Sequence, residues 1–362
     1  MTALKDGNRG VIALDQWDPP VGRRASTRSD DEAHVATVTS KIAELQELYV
    51  NTQRDHILAS NFQRLLDLRA APAPERKHAG LLVIGDSGAG KSRMLRNFFS
   101  NHTMLPGYGE QDAECPLISM DVPSPVSNKS LGLEALRCLY PQKRNDPVVP
   151  TTDDKDNNAD IWATFRDMAE ELGVWGLCID EAHDLTNGGP NTLKVLRSTF
   201  KRWMAHSHRP ILILSGIPRV QAIVDEYEMR RRFLPVHCPQ LDAVKDAANV
   251  KRIVAKYVRL SELQLDNSLS GLIERLIHAS TRQFGITMDL VLEAIEVALL
   301  DRDSKLTLQH FEQAYHLRTR CEPDANPFVV SDWLSIDTLS YMRTEPEAAA
   351  KKRRQKREEG PY

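Results

Sequence analysis

The chain has 362 residues, a hydrophobic fraction of 41% and a formal net charge of −3, which suit one large or two modest globular domains. It has no apolar run of membrane-spanning length and no apolar segment near its charged beginning, which argues against a membrane span and a secretory signal. Its scattered cysteines form no C-x-x-C pair, which argues against a zinc site or a disulfide framework and favours a reducing cytoplasm.

The first third of the chain leads into a regular alternation of strands and helices. Residues 1–31 are rich in charged residues, Gly, Pro and Ser, and we expect a flexible arm there. Apolar residues recur at helical spacing over 32–68, which predicts two helices, and the prolines of 70–78 indicate a linker.

Strands and helices then alternate up to about residue 240. We expect strands at 81–84, 116–122, 176–179, 211–215 and 235–238, helices at 92–99, 130–139, 161–172, 193–205 and 220–225, and a polar loop at 141–160. Such alternation predicts an α/β fold with a parallel sheet covered by helices on both faces. The short apolar strands LLVI and GLCI are typical of strands that are buried on both sides.

The pattern changes after residue 242. Amphipathic helices without strands are expected over 243–318, which predicts a small all-α domain, and the remainder is irregular. The predicted organisation is therefore a flexible arm at 1–31, an α/β core with its N-terminal helices at 32–242, a helical lid at 243–320, and a C-terminal tail with a basic end at 321–362.

A complete phosphate-binding loop follows the first predicted strand. The segment matches G-x-x-x-x-G-K-[ST] with Gly85, Asp86, Ser87, Gly88, Ala89, Gly90, Lys91 and Ser92. The glycines let backbone N–H groups face phosphate oxygens, and the helix that follows adds its positive dipole end. Lys91 is predicted to bridge the β- and γ-phosphates and the Ser92 hydroxyl to bind Mg²⁺, so the cofactors expected are ATP and Mg²⁺.

Polar residues follow two later strands. In WGLCIDEAH, Asp180 is the candidate for holding Mg²⁺ through water, and Glu181 is the candidate base that polarises the attacking water. Ser215 ends the next strand, in ILILSGIP, so we expect it between the two motifs, where it would sense the γ-phosphate. Capping of the following helix is the alternative role for Ser215.

Three consecutive arginines precede the last strand of the core. Arg230, Arg231 and Arg232 stand just before the apolar Phe233, and an arginine that reaches a neighbouring subunit's γ-phosphate can speed hydrolysis by powers of ten. Arg232 is the first candidate for this role and Arg231 the second. A solvated basic turn, or a contact to a phosphate backbone, is the alternative.

Together these segments resemble an AAA+ ATPase, and within that class they resemble the TniB/TnsC-type transposition ATPases of bacterial mobile elements. The resemblance rests on FQRLLDLRAAP, LLVIGDSGAGKS, GLCIDEAHDL, NTLKVLRSTF, LILSGIP, MRRRF and the NPF of 326–328. It implies an ATPase that assembles as a ring or helical filament on duplex target DNA, recruits a transposase, and has a target-selector protein as a further candidate partner. ATP would act mainly as an assembly signal, and hydrolysis would dismantle the complex.

The lid departs from the pattern of many AAA+ proteins, which carry a nucleotide-sensing arginine at the start of the third lid helix. Here TRQFGITMDLVLEA has Gly285 but then Thr287, Met288 and Asp289. Arg282, one turn earlier, is the alternative. Either Arg282 substitutes, or the arginines at 230–232 carry more of the sensing.

DNA contacts are predicted on a loop after the second strand. In SPVSNKSLG, Ser127, Lys129 and Ser130 would open a helix toward a DNA phosphate without reading sequence, although an ordinary helix cap fits equally well. Lys143 and Arg144 are weaker candidates. The basic run 351–357 is either solvated or touches DNA or a transposase, and Trp333 lies in a segment that either binds a partner or packs on the lid.

Two other functions remain open from the sequence. A helicase loader or another DNA-remodelling ATPase would use the same core, although the chain after residue 243 is too short and too helical for the second lobe of a two-lobed helicase. A signalling switch that does not act on nucleic acid would have no need of the basic tail.

Overall fold

A computed structural model describes residues 28–71, 78–110, 114–139, 158–266 and 271–339. The helices in chain order are α1 (Arg28–Glu47), α2 (Gln53–Ala70), α3 (Lys91–Ser100), α4 (Asn128–Leu139), α5 (Asn158–Glu171), α6 (Gly189–Met204), the single turn α7 (Tyr227–Arg230), α8 (Ala247–Leu260), α9 (Leu272–Ala279), α10 (Phe284–Leu300) and α11 (Leu308–Thr319). The strands are β1 (Gly80–Gly85), β2 (Leu117–Met120), β3 (Gly176–Ile179), β4 (Ile211–Gly216), β5 (Phe233–Cys238), β6 (Gln264–Leu265) and β7 (Lys305–Leu306).

The core is a five-stranded parallel sheet in the order β2-β3-β4-β1-β5. The strands β1, β3 and β4 are buried along their whole length, which explains why they are nearly continuous apolar runs. Because every pairing is parallel, the loops that follow the strands all leave from one edge of the sheet. That edge carries the phosphate loop, Asp180 and Ser215.

Helices cover both faces of the sheet, as the alternation of strands and helices predicted. On one face, Phe62 of α2 and Met94 of α3 pack against Leu81 and Val83 of β1. On the other face, Phe165 of α5 and Trp203 of α6 belong to the cluster that receives the alternate β1 residues. Successive side chains of a strand point to opposite faces of the sheet, so neighbouring residues of β1 lie in separate cores.

The C-terminal helices α8 to α11 enclose a second core, in which Val254, Leu276, Ile295 and Phe311 are buried. One N-terminal helix joins this core. Val38, Ile42 and Leu45 of α1 pack against α10, whereas the next helix, α2, packs on the sheet. The two helices predicted at 32–68 are both present, and they divide between the two cores.

Three features differ from the sequence-based expectations. Residues 28–31, expected in the flexible arm, form the first turn of helix α1. The helical part contains a small parallel pairing between β6 and β7, where no strands were expected, because two short extended segments between helices meet side by side. The segment predicted as a helix at 220–225 is a 3₁₀ helix, Pro218–Val224, followed by the single turn α7.

The segment around Trp333 packs on the lid, which was one of its two predicted placements. The Trp333 ring lies 5.3 Å from the His278 ring, and the Arg275 guanidinium lies 5.7 Å from its centroid. Phe328 stacks on Phe311 at 5.6 Å.

Several predicted segments lie outside the described residues: the arm up to residue 27, the linker 72–77, most of the polar loop 141–160 and the basic run 351–357. No helix within the described ranges has the length and apolar character needed to cross a membrane.

Candidate functional site

The phosphate loop joins β1 to α3 at the carboxyl edge of the sheet. Gly88 and Gly90 have φ values of 77° and 84°, a left-handed backbone conformation that residues other than glycine rarely adopt. Lys91 is buried, and its Nζ donates hydrogen bonds to the carbonyl oxygens of Gly85, at 2.9 Å, and Asp86, at 3.1 Å. The ammonium group therefore lies inside the loop, next to the first N–H groups of α3.

The two carboxylates that follow β3 lie at the same edge. The Asp180 carboxylate accepts a hydrogen bond from the Glu181 N–H at 2.9 Å. Glu181 has a φ of 46°, a left-handed backbone angle that few residues other than glycine adopt. Its side chain is 49% exposed, and Oε2 lies 3.1 Å from Nδ1 of His183. The Glu181 carboxylate is thus accessible to water, with an imidazole beside it.

Ser215 is the penultimate residue of β4, which lies between β1 and β3 in the sheet. Its side chain is buried, and its Oγ has no hydrogen-bond partner among the described residues. A buried hydroxyl without a partner is unusual because it loses its hydrogen bonds to water. The order of the strands brings this hydroxyl between the phosphate loop and Asp180.

The donor groups at this edge fit a magnesium ion. Ser92 is exposed at the first turn of α3, and Asp180 is partly exposed, so a hydroxyl and a carboxylate oxygen are available. Mg²⁺ prefers such hard oxygen ligands together with phosphate oxygens and water.

The lid touches the phosphate loop directly. The N–H of Ile286 donates to the Gly88 carbonyl at 3.3 Å, and the side-chain amide of Gln283 donates to Oδ2 of Asp86 at 3.1 Å. Gly285 permits this approach, because a Cβ there would lie 2.4 Å from the Gly88 oxygen. Gln240, in the connection between β5 and α8, donates to the same Asp86 oxygen at 2.8 Å. No motif in the sequence marks these two glutamines, and neither was predicted to reach the loop.

Arg54 of α2 also contacts the loop, a contact that was not predicted from the sequence. Its Nη1 donates to the Ala89 carbonyl, and its guanidinium lies 4.6 Å from the centroid of the Phe284 ring. Burial raises the pKa of the nearby Cys238 thiol, and the positive charges of Arg54 and Lys91 oppose that rise. A lone arginine in an amphipathic helix carries no sequence signal for such a position.

The lid residues at the start of α10 do not offer a cation to the loop. Thr287 is buried and shares a hydrogen bond of 2.7 Å with Ser280, and Met288 is buried. Asp289 lies 3.8 Å from Arg318. Arg282 instead donates from Nε to the Leu241 carbonyl at 2.8 Å, in the connection between β5 and α8.

The arginines at 230–232 lie at the other end of β5. Cys238, the last residue of β5, pairs with Gly85 of the phosphate loop, whereas Arg232 precedes the first residue of the strand. A six-residue strand spans about 20 Å, so Arg232 cannot reach its own phosphate loop. Arg231 is exposed, and Nε of Arg232 is buried without a hydrogen-bond partner among the described residues. Arg230 forms an ion pair with Asp225 at 2.6 Å.

The predicted DNA contacts after β2 form a helix cap. The Ser127 N–H donates to Oγ of Ser130 at 3.0 Å, and the Ser130 N–H donates to Oγ of Ser127 at 2.9 Å. Lys129 is partly exposed and forms no ion pair with any described residue. This cap opens α4 at the same edge of the sheet as the phosphate loop. Lys143 and Arg144 lie outside the described residues.

The chain resembles known proteins in both sequence and fold. A family model described as bacterial TniB protein matches residues 42–243, more than half of the chain. A search of curated proteins found no match.

Among solved structures, Cdc6p of Pyrobaculum aerophilum has a TM-score of 0.50 and 12% identity, over 75% of this chain and 69% of that one. The Aeropyrum pernix Orc1 protein, solved in complex with DNA, has a TM-score of 0.48 and 14% identity, over 76% of this chain and 67% of that one. The Walker-type ATPase of Pyrococcus abyssi has a TM-score of 0.45 and 17% identity, over 74% and 71%. The likeness to Cdc6p, at 12% identity, concerns the fold alone.

Proposed function

The chain belongs to the TniB family of bacterial proteins and is an AAA+ ATPase, and from this premise we propose that it is an ATP-dependent regulator of DNA transposition. In this proposal it assembles on duplex DNA without reading sequence and recruits a transposase to that target. A target-selector protein is a further candidate partner. ATP binding drives assembly, and hydrolysis resets the complex.

The proposal assigns a role to each group at the carboxyl edge of the sheet. Lys91 exchanges the carbonyl oxygens of Gly85 and Asp86 for phosphate oxygens, and the N–H groups from Gly85 to Ser92 surround the phosphates. The Ser92 hydroxyl and, through water, the Asp180 carboxylate would hold Mg²⁺, which would neutralise phosphate charge. Glu181 accepts the proton of the attacking water at its carboxylate, and Oγ of Ser215 donates a hydrogen bond to the γ-phosphate.

The observation that carries the proposal is the separation of Arg231 and Arg232 from their own phosphate loop by the length of β5. An arginine at that distance acts on a nucleotide only if another copy of the chain brings its loop there. We therefore infer that Arg232, with Arg231 as second choice, completes a neighbour's site and that the active form is an oligomer, either a ring or a helical filament. Nucleotide would then lie between subunits and hold them together.

The DNA contact is proposed at the loop that opens α4. Ser127 and Ser130 satisfy the first turn of that helix, and Lys129 supplies a positive charge beside it. A contact from a lysine side chain to a phosphate carries no sequence information, which suits a protein that accepts many targets. Lys143, Arg144 and the basic run 351–357 remain candidates for further contacts.

Fluorescence anisotropy with two labelled duplexes of equal length and unrelated sequence tests this function. We expect both duplexes to bind equally, tightly with ATP and weakly with ADP, with an affinity that falls as salt rises. The Lys91→Ala variant should lose the ATP-dependent binding, and Lys194→Ala, which removes an exposed lysine from α6, should retain it.

Binding that does not depend on nucleotide, or that requires one sequence, would contradict the proposal. A helicase loader or DNA-remodelling ATPase is the alternative, and it predicts a different result. It would deliver a helicase to DNA or separate a labelled duplex in an ATP-dependent way, whereas the transposition regulator leaves the duplex intact.

A further inference from the structure

Arg54 is a cation that lies against the phosphate loop without a carboxylate partner. Among the described residues it forms no ion pair, and its buried Nε has no hydrogen-bond partner. The neighbouring Asp55 carboxylate forms no ion pair with Arg54. It accepts hydrogen bonds from the Tyr49 hydroxyl and, at 2.7 Å, from the Thr52 N–H. A partly buried guanidinium with an unused donor favours an anion nearby.

The start of α2 holds Arg54 in a defined place. The bonds of Asp55 to Tyr49 and Thr52 close the first turn of this helix, and Leu58 on the following turn is buried in the sheet core. The guanidinium then lies between Ala89, whose carbonyl it bonds, and Phe284, whose ring it covers. It also approaches Gly90, where a Cβ would lie 3.3 Å from Nη2.

The Arg54 contacts link the phosphate loop to the lid. Ala89 and Gly90 belong to the loop that receives phosphates, and Phe284 is the first residue of lid helix α10. The lid arginine at 282 is bonded to Leu241 instead, and Arg318 is paired with Glu293 at 2.5 Å. By contrast, the guanidinium of Arg54 lies on the loop itself.

We propose that Arg54 is a phosphate-binding residue of the nucleotide site in its own subunit, and that it reports the bound nucleotide to the lid through Phe284. Its ligand class is the phosphate chain of a nucleoside di- or triphosphate. Its donors turn from the Ala89 carbonyl to phosphate oxygens, and this movement changes its contact with Phe284. The inference deepens the proposed function, since it rests on nucleotide binding at the phosphate loop.

Titration of the full chain with fluorescent ATP and ADP analogues tests the inference. Arg54→Gln removes the charge and is expected to weaken nucleotide affinity by about tenfold or more, the effect of one lost hydrogen bond between charged groups. Arg54→Lys keeps the charge but lacks the planar donor pair, so it should recover part of the affinity. Arg64→Gln, an exposed arginine of the same helix, should bind nucleotide as the unaltered chain does.

Hydrogen exchange supplies the readout for the lid. In the unaltered chain, nucleotide should change exchange in the first turn of α10, and this response should be lost in Arg54→Gln and reduced in Phe284→Leu. Wild-type affinity together with a wild-type lid response in Arg54→Gln would overturn the inference. So would a lower Tm of the nucleotide-free variant with unchanged affinity, which is the result expected of a purely structural residue.

The Lys91→Ala variant separates this inference from the function on which it rests. If Lys91→Ala still binds nucleotide, the phosphate loop itself is misassigned. If Lys91→Ala loses binding and Arg54→Gln does not, the nucleotide site stands and only the role of Arg54 fails. If Arg54→Gln does not fold, Arg54→Lys decides, and unaltered affinity and lid response in that variant would reject the inference.

Discussion

At the scale of single residues, the hydroxyl of Ser215 and the hydroxyl of Ser280 form an informative pair. Both side chains are buried, but Oγ of Ser280 is bonded to the Ile277 carbonyl and to Thr287, whereas Oγ of Ser215 has no hydrogen-bond partner among the described residues. A buried polar group without a partner costs about 1–3 kcal/mol. The unpaired Ser215 hydroxyl therefore destabilises the folded protein, and it lies at the edge of the sheet where nucleotide chemistry is proposed.

The Ser215→Ala variant should therefore be at least as stable as the unaltered protein and slower in hydrolysis. We expect an equal or higher Tm and a drop in the single-turnover rate on the order of 10², as for other preorganised donors. The matched Ser280→Ala variant should lose about 1 kcal/mol of stability, because it leaves Thr287 without this partner, and should hydrolyse ATP normally. A destabilised Ser215→Ala variant with an unchanged rate would assign the hydroxyl to structure.

At the scale of helices and strands, the sequence predicted most of the core and little of the contacts between its parts. Apolar runs in the sequence predicted the buried strands, and the phosphate-binding motif predicted the junction of β1 and α3. The parallel order then brought Ser215 between the two motifs, as expected. Each of these predictions rests on local pattern, which a single sequence displays.

Contacts between distant elements could not be predicted in this way. Helical spacing shows that α1 has an apolar face but not that this face packs on α10, and nothing in α2 marks Arg54 for the phosphate loop. The Gln240 and Gln283 contacts with Asp86 likewise join residues far apart in the chain. Such pairings depend on how the lid docks on the sheet.

The packing of α1 on the lid gives a test at this scale. Leu45 is 2% exposed in the lid core, and Leu45→Ala should lower the free energy of unfolding of the lid by about 2–5 kcal/mol. Hydrogen exchange should rise in α10 and α11 more than in β1 and β4. Val35→Ala, at an exposed site of the same helix, should change stability by less than about 0.5 kcal/mol. Faster exchange confined to the sheet would contradict the assignment of α1 to the lid core.

At the scale of the whole molecule, the nucleotide site is divided between two copies of the chain in the proposed assembly. One copy contributes the phosphate loop, Asp180, Glu181 and Ser215, and the next contributes Arg232. This division makes nucleotide binding and assembly one event, because a bound nucleotide touches both copies. It also predicts that two inactive variants can complement each other.

Mixing Glu181→Gln with Arg232→Ala tests this division. Each variant alone should hydrolyse ATP slowly, but a mixed oligomer contains junctions where an intact Glu181 meets an intact Arg232. The rate of the mixture should therefore exceed the sum of the two separate rates. Arg230→Ala is the matched control, since Arg230 is already paired with Asp225, and it should stay active on its own. A mixture no faster than that sum would show that Arg232 does not act across subunits.

The most direct test of the central claim, that ATP holds subunits together on DNA, is electron microscopy of the full chain with and without duplex DNA. We predict ordered rings or helical filaments on DNA with ATP, disassembly with ADP, persistent assemblies for Glu181→Gln, and none for Lys91→Ala. Absence of assembly on duplex DNA with any nucleotide, or equal assembly with ATP, with ADP and without nucleotide, would contradict the account.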